Sequence, residues 1–132
     1  MSSQVKKVFI LDDAQVFLMS YQAYLKHFNL RDVEFCLLTT SWNELLEHHQ
    51  LKDANLILVD FSLGESVNGF DVAKECRNIA PNAKIKILTA SVKQAVSKWK
   101  ENPTYLSLCD ISDIVEKPVT LKIFDELVSS LG

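Results

Sequence analysis

The chain predicts an α/β domain: a parallel sheet of five strands with helices wound over both faces. Two observations carry this. Short, almost wholly apolar runs such as Val8 to Leu11 and Leu56 to Val59 alternate with longer amphipathic stretches along the whole length. Strands of that kind are buried on both faces, which requires helices above and below a mostly parallel sheet. In addition, each apolar run is followed by polar residues of reactive type, and in parallel sheets such groups collect where the carboxyl ends of the strands meet the loops.

The elements follow from local pattern. Val5 to Leu11 reads as the first buried strand and Ala14 to Phe28 as the first helix, with Val33 to Leu38 the next strand. Ser41 and Glu44 have capping-box spacing and open a helix through about Leu51. Asn55 to Asp60 is the third strand, nearly all apolar until its final residue, and a helix from about Asn68 to Ala80 is stopped by Pro81. Lys84 to Ala90 is the fourth strand, Val92 to Trp99 a short helix, and Tyr105, Leu106 and Leu108 after Pro103 suggest an extra helical turn. Ile111 to Glu116 is the last strand, and Thr120 caps a closing helix that reaches nearly to Leu131. Five βα units result.

Length and composition bound the rest. A chain of 132 residues fits one domain, here residues 1–132, with a core large enough to need no metal or disulfide staple. Hydrophobic content of 48% and charged content of 23% suit a globular protein, and no apolar run nears the roughly 20 residues of a membrane-spanning helix. The start, Met1 to Lys7, is polar and then basic, unlike a signal peptide, so a cytoplasmic location and no membrane contact are expected. Cys36, Cys76 and Cys109 lack CxxC spacing and read as small buried residues. A net charge of -3 weighs against direct nucleic-acid binding.

Five residues carry the chemistry. Asp12 and Asp13 end the first strand, Asp60 the third, Thr89 lies at the end of the fourth and Lys117 follows the fifth. A lone Asp pair after a strand is far more often a helix cap or turn residue than a site. Three acids, a hydroxyl and a lysine at one edge of four strands are harder to obtain by accident. Crowded carboxylates are either partly protonated or hold a cation, and an all-oxygen set favours Mg2+. Such an ion offsets charge on an incoming phosphoryl group, Lys117 can pair with one phosphoryl oxygen, and Thr89 can donate to another. Asp60 is then the nucleophile.

In order and type these residues resemble the response-regulator receivers of two-component and phosphorelay systems. The motifs are Leu11-Asp12-Asp13, Leu58-Val59-Asp60, Leu88-Thr89-Ala90-Ser91 and Glu116-Lys117-Pro118, and the resemblance covers essentially the whole chain. It implies a flavodoxin-like fold with strand order 2-1-3-4-5, Asp60 as phosphoacceptor, Thr89 as switch hydroxyl and Lys117 as phosphate-binding lysine. It also implies Mg2+ held by Asp13, Asp60 and the backbone carbonyl of Ser62, with Asp12 acting through water, and a cis Lys117-Pro118 bond. The implied partners are a histidine kinase or histidine phosphotransfer protein and an unidentified downstream protein. The chain is expected to act as a monomeric acceptor with at most self-phosphorylation and slow autodephosphorylation. Small Ala90 leaves the acceptor open to a bulky donor.

The chain departs from the pattern at several points. The residue three before the lysine, an aromatic in most receivers, is Ile114. The segment between Thr89 and Lys117 is several residues longer than usual, with Pro103 to Leu108 the insertion, which predicts an unusual output face. The loop from Phe61 to Gly69 lacks the common proline and is one residue longer, with Gly64 and Gly69 expected to supply positive φ.

Ala14, Phe17, Tyr21, Leu25 and Phe28 form a stripe spaced for burial on the first helix; Val16, Met19 and Ala23 are read as extending a wide core face, or else as an exposed patch for a phosphodonor. His27, His48 and His49 read as surface or helix-end residues, and Trp42 and Trp99 as packing groups. Two other functions stay open: an aspartyl-phosphate phosphohydrolase, against which the residue two after Asp12 is Ala14 rather than an acid, and a receiver-like adaptor that is never phosphorylated.

Overall fold

A computed structural model describes residues 5–25, 33–64 and 67–131. In chain order it comprises β1 (Lys6–Leu11), α1 (Gln15–Leu25), β2 (Val33–Thr39), α2 (Trp42–Leu46), β3 (Leu56–Asp60), α3 (Gly69–Ile79), β4 (Lys84–Thr89), α4 (Val92–Glu101), α5 (Pro103–Leu108), β5 (Ile114–Glu116) and α6 (Leu121–Ser129). Among the described residues the strands form one parallel sheet of order β2-β1-β3-β4-β5, as expected. The order reverses between β1 and β3, and that reversal opens the crevice in which sheets of this kind place their sites.

Alternation along the strands builds two cores. Val8, Ile10, Leu56, Leu58 and Leu88 face α1 and α6, where Leu18, Tyr21 and Phe124 are buried. Phe9, Leu11, Ile57, Val59, Ile85 and Ile87 face the opposite layer, made of α2 to α5. Side-chain caps set the helix starts: the Ser41 hydroxyl accepts the Glu44 N–H, Asn68 caps α3, Ser91 caps α4, Asn102 caps α5 with Pro103 in its first turn, and Thr120 caps α6. No helix among the described residues is long and apolar enough to cross a membrane.

Several expectations are corrected. The last strand begins at Ile114, not Ile111, because Asp110 and Asp113 cap one another and wind Ile111–Asp113 into a 3-10 turn. The second helix stops at Leu46, well short of Leu51: the His48 ring accepts the Gln50 N–H at 3.1 Å, a local bond that competes with helix, and Leu51–Asp53 is a separate 3-10 turn. Pro103–Leu108 is a full helix rather than one extra turn. Val16 and Met19 are 66% and 60% exposed and Ala23 is exposed, so the wide core face is overturned; Leu18 is the buried residue between them. Cys76 is buried, while Cys36 and Cys109 are half-buried rather than buried. His27, Phe28 and the side chain of Leu25 lie outside the described residues.

Candidate functional site

Register alone brings the acids together. Leu11 pairs with Val59 across β1 and β3, so the residues just beyond, Asp12 and Asp60, sit side by side at the carboxyl rim. Asp60 in turn pairs with Leu88, and Thr89 with Glu116, which carries the rim on to Lys117. Backbone bonds lock the loops down: the Asp12 N–H donates to Thr39 O at 3.0 Å, Phe61 N–H to Leu88 O at 2.7 Å and Lys117 N–H to Thr89 O at 2.7 Å. The Lys117-Pro118 peptide is cis, as the motif implied.

Asp12, Asp13 and Asp60 each place one carboxylate oxygen within 4.8 Å of the others. Asp12 and Asp60 are 0% and 2% exposed, whereas Asp13 opens to solvent. Burial raises the Asp13 carboxyl above its ordinary value, and a hydrogen bond with Asp60 and its charge push the same way, while Lys117 draws it down. Three hard oxygen donors with excess negative charge fit a divalent cation such as Mg2+. The Lys117 ammonium lies 3.0 Å from Asp60 Oδ1 and 3.2 Å from Asp12 Oδ2, bridging the two buried acids. Asp60 also receives the Ser62 N–H on Oδ1 and the Asp13 N–H on Oδ2, both at 3.4 Å, so one ammonium and two amide N–H groups donate to it. Ser62 and Ala90 beside it are exposed, while Asp60 itself is almost wholly covered.

Thr89 is buried, and its hydroxyl is held within its own loop: it donates to Ser91 O and accepts from Ser91 N–H, both at 3.0 Å. Its hydroxyl is therefore satisfied within the loop after β4, at the rim. Ile114 fills the core at the position where an aromatic was expected and carries no polar group.

Two residues of the site were missed by sequence reasoning. Phe17, assigned to the burial stripe, lies under the Lys117 ammonium at 4.3 Å from ring centroid to Nζ, a cation–π contact that holds the lysine over the acids. Its position one helical turn past Asp13, hence beside the same rim, was the available signal. Gly69 was assigned positive φ, but among the described residues that conformation belongs to Gly64, at φ 147°. Gly69 is required for a different reason: a Cβ there would lie 2.5 Å from the carbonyl oxygen of Asp60, so only glycine lets α3 abut the acceptor strand.

The fold and this rim define a class. Residues 8–128 match the response regulator receiver domain family, and the chain belongs to that family, the receiver domains of two-component signalling. It is 27% identical over 85 residues to the transcriptional regulatory protein ComA of Bacillus subtilis, a match covering 64% of this chain and 39% of that protein. The chain thus matches well under half the length of that curated relative. A CheY-like receiver domain from Methanospirillum hungatei superposes with a TM-score of 0.69 at 20% identity, covering 97% of this chain and 94% of that one. The RcsB response regulator of Salmonella typhimurium superposes with a TM-score of 0.73 at 21% identity, over 97% and 61%. At such identity the solved structures establish the fold.

Proposed function

We propose that Asp60 is the phosphoacceptor and that Lys117, Thr89, Asp12, Asp13 and the Ser62 carbonyl form its working site. The observation that carries this reading is the Lys117 ammonium 3.0 Å from Asp60 Oδ1 within a cluster of three carboxylates. A carboxylate oxygen of Asp60 attacks phosphorus of a phosphohistidine in line with the phosphorus–nitrogen bond. The new bond is P–O; the P–N bond breaks, and the departing imidazole keeps its electron pair and takes up a proton. Bound Mg2+ supplies charge neutralisation for the carboxylates and the phosphoryl oxygens. Asp13, Asp60 and the Ser62 carbonyl would hold it, with Asp12 acting through water.

Lys117 then exchanges one carboxylate contact for a phosphoryl oxygen, and the Thr89 hydroxyl leaves Ser91 O for another. The Lys117 exchange swaps one charge-assisted contact for another, whereas the Thr89 exchange replaces a neutral hydrogen bond by a charge-assisted one, which draws the loop after β4 toward the rim. The protein is a stoichiometric acceptor rather than a turnover enzyme, a monomer that receives its phosphoryl group from a histidine kinase or phosphotransfer protein and passes the signal to a protein target. Three free cysteines suit a cytoplasmic, reducing setting.

Incubation with acetyl phosphate and MgCl2, followed by intact mass, tests the reading. The wild type should gain one phosphoryl group and Asp60→Asn none. A wild type without label, or an Asn variant labelled equally, overturns it.

A further inference from the structure

The residues downstream of Asp60 connect physically to the inserted helix. Phe61, immediately after the acceptor, meets Phe70 edge to face at 5.7 Å, and Phe70 stacks on Tyr105 of α5 at 4.8 Å and 21°. A polar path runs beside this aromatic one. Ser62, whose N–H reaches Asp60, bridges to Asn68, the cap of α3. Asn68 and Asp71 cap one another, the Tyr105 hydroxyl donates to Asp71 Oδ1 at 2.6 Å, and Asn68 Nδ2 reaches the same hydroxyl at 3.5 Å. Tyr105 is 8% exposed while Asp71 lies at the surface, so this short, charge-assisted bond is half-buried.

The far end of the path is also tied. Cys109, the residue that ends α5, accepts the Trp99 indole N–H on its carbonyl at 3.0 Å, joining α5 to the last turn of α4. Ile114, by contrast, is an apolar core residue and offers no hydroxyl with which to follow the rim.

We propose that Tyr105 is a positioning residue that fixes the segment leaving Asp60 and couples loading of that site to the α4–α5 surface. The inference rests on the proposed role of Asp60. On loading, the Ser62 carbonyl and the Asp60 carboxylate would hold the ion, and any shift of Ser62 would be felt by Asn68; Asn68 and Asp71 would move as one capping unit, with Tyr105 following through its hydroxyl and its ring. By linkage, a residue that moves with loading must in turn affect the affinity of the site. A cap that only holds α3 would do neither.

The chain carries its own reporter, because Trp99, one of its two tryptophans, is bonded to Cys109 at the end of α5. In a Trp42→Phe background, the site is titrated with MgCl2 and then loaded with MgCl2 and beryllofluoride while Trp99 emission is recorded. Loading should change the emission. Tyr105→Phe keeps the ring stack and removes the hydroxyl; it should cut the emission change by more than half and move the half-saturating Mg2+ concentration by about fivefold or more. Should that variant fold poorly, Asp71→Asn weakens the same bond from the other side and should give the same two effects. Equal emission changes and equal Mg2+ affinity in the folded variants overturn the inference. A wild type that takes label on Asp60 from acetyl phosphate but leaves Trp99 silent overturns the coupling alone, whereas a wild type that takes no label overturns the function as well.

Discussion

Replacing Gly69 by alanine perturbs the site through geometry alone. The added Cβ would lie 2.5 Å from Asp60 O and 3.0 Å from both Asp60 C and Phe61 Cα, all backbone atoms that cannot rotate aside. Ordinary contact requires the start of α3 to retreat from β3 by roughly 1 Å. That movement strains the bond from Gly69 N–H to Phe61 O, now 2.9 Å, worth about 0.5–1.5 kcal/mol, and overpacking itself costs about 1–3 kcal/mol. Alanine's better helix propensity offsets at most about 1 kcal/mol, leaving a net loss of about 0.5–4.5 kcal/mol. For 132 residues, at about 2.1 cal/mol/K per residue, this lowers Tm by about 2–16 °C. Thermal unfolding by circular dichroism measures it, and acetyl-phosphate labelling of the same sample should be slower because Asp60 has moved. A Tm equal to or above that of the wild type would mean that helix propensity wins and that the close approach is not what demands glycine.

Other expectations concern charge, surface and thiols. Lys117→Met leaves buried Asp12 and Asp60 without their cation and should cost about 3–5 kcal/mol in urea unfolding without metal, with part recovered on adding MgCl2. Loss of Lys117 also removes the charge that lowers the Asp13 carboxyl, so its folded pKa rises further above the unfolded one. The folded variant then binds more protons than the unfolded chain just above the ordinary carboxylate range, so its stability should rise as pH falls from neutral into that window; a flat profile would contradict this. Met19→Asp, on the exposed side of α1, should change stability by no more than about 0.5 kcal/mol while slowing transfer from a histidine phosphodonor and sparing acetyl-phosphate labelling, whereas Leu18→Ala should cost about 2–5 kcal/mol. Burial pushes the Cys76 thiol up to about 12, and burial with Asp113 and Asp110 pushes Cys109 up to about 11. Iodoacetamide at pH 8 should therefore label native Cys109, which is also the more accessible thiol, ahead of Cys76, and the reverse order by peptide mass would contradict both the burial and the thiolate argument.

The order of strands and helices, and the five residues of the rim, were legible because each is a local matter. An apolar run with β-branched residues makes a strand whatever lies elsewhere, and the polar residue that ends it is thereby placed at the rim. Asp12, Asp13, Asp60, Thr89 and Lys117 needed nothing more to be picked out. The Thr120 cap and the stop at Pro81 are equally local, each set by a side chain within three residues of the backbone it controls.

What the tertiary structure alone decided involves partners far apart in the chain. Lys117 and Asp12 are 105 residues apart, and Tyr105 and Asp71 are 34 apart, so no window of sequence contains either pair. Phe17 had the spacing of a core residue, and only the folded rim shows an ammonium over its ring. Gly69 had the look of a turn glycine, yet its backbone is ordinary and its requirement comes from Asp60, which approaches it from the neighbouring strand. Local pattern specifies which residues point to a common edge; distances across that edge, and what each side chain finds there, depend on packing that brings remote segments into contact.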